Sequence, residues 1–288
     1  MSHFTVLVVG QNPEQQLAPY HEFECTGIND QYVQDIDVTD EYRLDYERQE
    51  DRSETFLEFA KNNNDYSVVE FGQAPDIDDA HKYGWIQLDE DGEVAKVVRR
   101  TNPNAKWDWF VLGGRWRDFF KLKNGGFADS AMKIDIDFDG MTSQAAEDAK
   151  TEYQAFADAI AGMEFPKTWP EMMLGNTGSI DELRKAYASQ PAVEAVRQAV
   201  RDKKLPFTFQ CSFDYYGRNI DEYVKKCQAQ CLTTYAVTMD GQWYARGEMG
   251  WFGLSSNEMT ETEWNQKVAE MIAALPDDTV LSVYDCHI

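Results

Sequence analysis

From Phe4 to Val9 the chain runs almost without polar interruption (FTVLVV), the pattern of a strand buried on both faces, and Gly10 with Asn12-Pro13 closes it. The terminal TVLSVYDCHI has the same character and predicts a last strand with room to pair with the first. Between Val38 and Asn64 the residues turn charged and helix-favouring. With Asp40 as N-cap and three asparagines as the stop, one long helix is expected there. The dipeptides Asp91-Gly92, Asn124-Gly125 and Asp240-Gly241 each separate strand-like arms and predict hairpins, so antiparallel pairing should dominate. From 141 to 205 the period becomes helical, with Ala146, Ala149, Tyr153, Phe156 and Ile160 near one stripe. Ser179 with Glu182 and Thr260 with Glu263 form capping boxes, and Pro191 can open a helix at its first position.

These elements predict an α+β fold: a mixed, mainly antiparallel sheet with packed helices and a helical insertion. Residues 1–140 and 207–288 would form the core, with N- and C-terminal strands paired, and 141–206 the insertion. No stretch approaches the length of a membrane-spanning segment, and the opening apolar run is too short for a secretory leader.

Charge narrows the function classes. Among 288 residues, 51 Asp and Glu face 27 Lys and Arg, a net charge of −24 that repels nucleic acid and anionic membrane and excludes a plain DNA or RNA binder. Five cysteines at irregular spacing fit free thiols in a reducing compartment, so a cytoplasmic location is expected. The charge is also uneven. Residues 22–58 hold thirteen acidic side chains and three arginines, whereas residues 96–123 hold eight basic and two acidic ones, interleaved with Trp107, Trp109, Phe110, Trp116, Phe119 and Phe120.

Two readings follow. The basic, aromatic stretch has parts for holding a flat anionic ligand such as a nucleotide: Arg115 and Arg117 as forks, Trp107 and Trp109 for stacking, and Gly113-Gly114 for close approach of backbone N–H groups. The alternative is that Gly113-Gly114 bends a strand, the aromatics fill a core, and the basic groups pair with the acidic segment. That acidic segment, through Asp35, Asp37, Asp45 and Glu47, could instead meet a basic surface on a partner protein. Neither a complete P-loop nor a G-x-S-x-G elbow occurs, so no sequence signature names an enzyme or a cofactor.

Weaker candidates are a zinc set of His21, Cys25, Cys286 and His287, joined by His3 if the end strands are neighbours, although the spacing matches no standard pattern. Cys211, Cys227 and Cys231 read as core thiols, and the alternating Asp135, Asp137 and Asp139 as a solvated strand face. GEMGWFG, residues 247–253, reads as a tight turn or as a rim to the tryptophan-rich stretch.

At MSHFTVLVVG, LAPYHEFECTG, NPNAKWDWFVLGGRW and the terminal VYDCHI, the chain resembles an uncharacterised family of bacteriophage and prophage proteins. The resemblance implies a phage setting in a host cytosol. By analogy with acidic phage accessory proteins, it implies an inhibitor of a host defence or nucleic-acid-processing protein. The sequence expectation is therefore a non-enzymatic interaction protein with a basic host partner, the alternative being a binding protein or enzyme for a small anionic ligand.

Overall fold

A computed structural model of the chain describes residues 2–22, 30–49, 53–174, 178–208, 211–249 and 255–288. The architecture is α+β with mixed, mainly antiparallel sheets. Two compact units divide the chain: Met1–Arg117 with Tyr235–Glu258 and Val280–Ile288, and Asp118–Thr234 with Met259–Thr279.

The first unit begins with β1 (His3–Val9), α1 (Pro13–Leu17), β2 (Gln34–Asp37), α2 (Thr39–Arg48) and α3 (Phe56–Asn64). It continues through β3 (Ser67–Val69), β4 (Gly84–Leu88), β5 (Val94–Thr101) and β6 (Trp109–Leu112). The second unit contributes β7 (Phe120–Lys121), β8 (Phe127–Ala128), β9 (Ser130–Met132), α4 (Phe138–Ala159), α5 (Trp169–Met173), α6 (Ile180–Ala188), α7 (Pro191–Arg201), α8 (Ser212–Tyr216) and α9 (Ile220–Gln230). The first unit resumes with β10 (Ala236–Met239), β11 (Gln242–Ala245), β12 (Glu248–Met249) and β13 (Ser255–Ser256), α10 (Glu261–Ala274) belongs to the second, and β14 (Val280–His287) ends the first.

In the first unit a central sheet runs β11-β10-β1-β14-β6. The opening and closing strands pair antiparallel along their length, from His3 opposite His287 to Val9 opposite Leu281. β10 lies parallel to β1 and returns as β11 through Asp240-Gly241, both with the positive φ that a tight hairpin requires. Phe4, Val6 and Val8 point to one face and pack with Ala236, Tyr284, Cys286, Leu17 of α1 and Trp107. Strand alternation then sends His3, Thr5, Asp285 and His287 to the other face.

A second sheet, β2-β5-β4-β3, is covered by α2 and α3, whose Tyr42 and Phe59 meet Ile86, Leu88 and Val97. The single helix expected over 38–64 is two. Thr55 and Glu58 close a capping box that starts α3 afresh, and this local signal outweighs the continuous charged pattern.

The second unit packs Phe156 of α4 with Val193 and Val196 of α7, Phe213 and Tyr216 of α8 and Tyr223 of α9. Inside it Glu152 accepts hydrogen bonds from the hydroxyls of Tyr216 (2.8 Å) and Tyr223 (3.0 Å). Capping boxes at Ser179 and Thr260 and proline at the start of α7 set the helix ends. The helical unit is larger than the span 141–206, because α8 and α9 complete the core begun by α4 and α7. Asp137 is no strand residue either: its carboxylate caps α4 by accepting the Gly140 N–H at 2.9 Å. Among the described residues no helix is long and apolar enough to cross a membrane.

Candidate functional site

One corner of the central sheet collects chemistry. His3 opens β1, His287 closes β14 opposite it, and Trp109 opens β6 opposite His287. Directly opposed residues of antiparallel strands share a face, so these three rings stand together, with Thr5, Asp285 and Val111 in the next row. The ring centres of His3 and His287 are 5.0 Å apart. Trp109 stacks on His287 at 5.2 Å with an interplanar angle of 17° and meets His3 edge-on at 5.2 Å.

Each of these imidazoles has its own carboxylate. Nδ1 of His3 lies 2.8 Å from Oδ1 of Asp285, and Nδ1 of His287 lies 2.7 Å from Oδ1 of Asp108. A carboxylate only accepts, so Nδ1 carries the hydrogen in both rings and Nε2 is the nitrogen available for other chemistry. The side chain of Asp285 is 2% exposed, and its second oxygen accepts the backbone N–H of Arg115 at 3.0 Å. Removing one partner of such a buried pair costs about 3–5 kcal/mol, because the other is left without compensation.

The glycine turn is shaped around that carboxylate. The Gly113 N–H extends the ladder to the Val283 carbonyl at 2.8 Å, and Gly113 then takes φ 69°, ψ −62°, which side-chain-bearing residues avoid. A Cβ on Gly114 would lie 2.4 Å from Cβ of Asp285. The expectation that backbone N–H groups of this turn hold a ligand anion is thereby corrected for Arg115: its amide binds Asp285.

His21 reaches the same corner from the segment after α1. Its Nε2 donates to the Asp108 carbonyl at 2.8 Å and its ring stacks on Trp107 at 4.5 Å. The neighbouring Glu22 N–H binds the Trp107 carbonyl and Asp108 N–H binds the His287 carbonyl. Asp108 thus meets His287 through its carboxylate and His21 through its carbonyl. Trp107, expected to stack on a ligand, is instead buried in the core with Phe110 and Tyr284. Trp109 remains exposed.

The zinc expectation is corrected at Cys286. Neighbouring strand residues face opposite ways, so Cys286 is buried in the core behind the sheet while His287 faces the corner. Burial pushes the Cys286 thiol well above the usual cysteine range. Cys25 and Gly250–Gly253 of GEMGWFG lie outside the described residues, and among the described residues no group of three or more His, Cys, Asp or Glu side chains is placed to hold a metal ion.

The basic stretch divides. In β5, Arg100 pairs with Asp35 (2.8 Å), Lys96 with Asp37 (3.6 Å) and Arg99 with Glu41 (3.3 Å). Asp37 also accepts from Thr39, and that hydrogen bonding holds its carboxyl below the usual range. Asp45 pairs with Arg48 on the same helix. Arg115 and Arg117, by contrast, are exposed and form no ion pair with any described residue. The residues passed over in the sequence were Asp108 and Asp285 as histidine partners. For Asp285 the signal was alternation in the paired end strands, which puts it on the face of His3 and His287; for Asp108 the sequence held none. Comparison of the chain with protein-family models, with curated proteins and with solved structures found no match.

Proposed function

We propose that the corner of the central sheet binds a small anionic ligand with a flat ring system, of the nucleotide class. The observation that carries this reading is the pair of histidine–carboxylate couples set side by side under an exposed tryptophan. An exposed indole accepts a base by stacking, and the exposed guanidiniums of Arg115 and Arg117, with the Nε2–H of a protonated imidazole, suit a phosphate. The net charge of −24 disfavours long polyanions, so the ligand is a mononucleotide or a short oligonucleotide rather than nucleic acid.

The phage inhibitor reading draws on the acidic half instead. Asp45 and Glu47 are exposed on α2, but Asp35 and Asp37 are engaged by Arg100 and Lys96, which leaves less negative charge for a basic partner. A thermal-shift screen of nucleoside monophosphates, the free nucleosides and inorganic phosphate tests the ligand reading. At about a hundred times its Kd a nucleotide adds about 2.7 kcal/mol of stability. This gain should vanish in Trp109→Ala, and no gain with any nucleotide would refute the reading.

A further inference from the structure

We propose that His3 and His287 form an acid–base pair that cleaves a small ribonucleoside phosphodiester through the substrate's own 2′-hydroxyl. The inference rests on the nucleotide-binding reading and adds to it a reaction. Two imidazoles are each fixed at Nδ1 by a different carboxylate, Asp285 for His3 and Asp108 for His287, which leaves two Nε2 atoms to move protons. A proton-transfer group works within about 3 Å of its target oxygen, and rings centred 5.0 Å apart can serve the entering and leaving oxygens of one phosphorus. The side chains of His3 and His287 are 9% and 7% exposed, and their rings are held by the sheet and by Trp109.

Among the described residues the corner supplies bases and acids without an activated nucleophile of its own. Thr5, in the next row, accepts the Tyr235 N–H through its hydroxyl, and Cys286 faces the opposite side of the sheet. An attacking group that comes with the substrate, a ribose 2′-hydroxyl beside the phosphodiester, meets that need. One imidazole takes the 2′-hydroxyl proton as O2′ bonds to phosphorus. The P–O5′ bond breaks, and the other, protonated imidazole delivers its proton to O5′. The products are a 2′,3′-cyclic phosphate and a free 5′-hydroxyl, with no change of oxidation state. Water adding to the cyclic phosphate, with the two rings in exchanged roles, returns them to their starting protonation and leaves a 3′-phosphate. Asp285 and Asp108 are positioning residues; among the described residues the charged groups at the corner are these two carboxylates with Arg115 and Arg117, and His21 is bonded to the Asp108 carbonyl.

The test uses the full-length protein with uridylyl-3′,5′-adenosine and its 2′-deoxyuridine analogue, products followed by phosphorus NMR. The ribo compound should give the 2′,3′-cyclic phosphate with a bell-shaped dependence of kcat/KM on pH, and the deoxy compound should be inert. His3→Gln and His287→Gln should each lower kcat by about 10²–10⁴-fold while circular dichroism shows each variant folded at the assay temperature. That retained fold separates loss of the proton-transfer group from loss of the protein. Asp285→Asn should move one limb of the pH profile, which loss of folded protein alone would not do. Cleavage of the deoxy compound, or cleavage undiminished in both glutamine variants, overturns the proposal. Binding of the monophosphate without cleavage overturns it too while leaving the binding site intact, and absence of both overturns the two readings together.

Discussion

Residues 96–101 and 106–117 are alike in sequence, both basic and both rich in large side chains, yet the fold uses them differently. In β5 the basic side chains stand across from the acids of β2 and α2, and Arg100, Arg99 and Lys96 are matched by Asp35, Glu41 and Asp37. Around β6 the nearby acids are taken by histidines, Asp285 by His3 and Asp108 by His287, so Arg115 and Arg117 are left facing solvent. A cluster of charge in sequence is therefore no measure of charge available for binding. What decides is which neighbouring strand the register brings alongside, and a histidine can displace an arginine as the partner of a carboxylate.

The two regions should respond differently to substitution. The largest effect is expected for Asp285→Ala, which strips His3 of its buried partner and the Arg115 amide of its acceptor; about 3–5 kcal/mol should be lost in urea unfolding. Gly114→Ala follows, at about 2–3 kcal/mol, because the added Cβ would sit 2.4 Å from Cβ of Asp285 on a backbone with φ +53°. An unchanged midpoint in that variant would mean the turn does not rest on Asp285.

The acidic region has its own weak point in alkali. Burial pushes the Tyr42 hydroxyl from 10.0 up to about 12. The fold thus favours the neutral phenol, so this contribution is intact below pH 10 and is lost as pH rises toward about 12. Tyr42→Phe should flatten that part of the stability profile, read by circular dichroism against pH.

Smaller effects sharpen the contrast further. Asp35→Asn with Asp37→Asn breaks half-exposed pairs and should cost about 0.5–1 kcal/mol, relieved by salt in the wild type. Arg115→Ala with Arg117→Ala should change stability by less than about 0.5 kcal/mol, yet remove most of the nucleotide-induced thermal shift. A matching loss of shift in the Asp35/Asp37 variant would erase the distinction between the regions.

The fold was readable wherever the signal was local. The hairpin at Asp240-Gly241, the capping boxes at Ser179 and Thr260 and the run FTVLVV each state their conformation within a few residues, and each forms as expected. The break between α2 and α3 was equally local, at Thr55 and Glu58, but was masked by a charged pattern that runs across it. The candidate site was harder to read because it is assembled from positions that only register brings together. His3 meets Asp285 across 282 residues, and His287 meets Asp108 across 179. Composition pointed to the tryptophans and glycines and named both indoles alike, but Trp107, before β6 begins, is buried in the core and Trp109 is exposed.

The most direct measurement is to follow the ring signals of the four histidines by NMR while adding uridine 3′-monophosphate. If the sheet corner is the ligand site, the His3 and His287 resonances move together and saturate, while His81, which accepts the Asp76 N–H in the loop between β3 and β4, stays in place. Resonances of His3 and His287 that stay fixed, or that move no more than that of His81, would contradict the account.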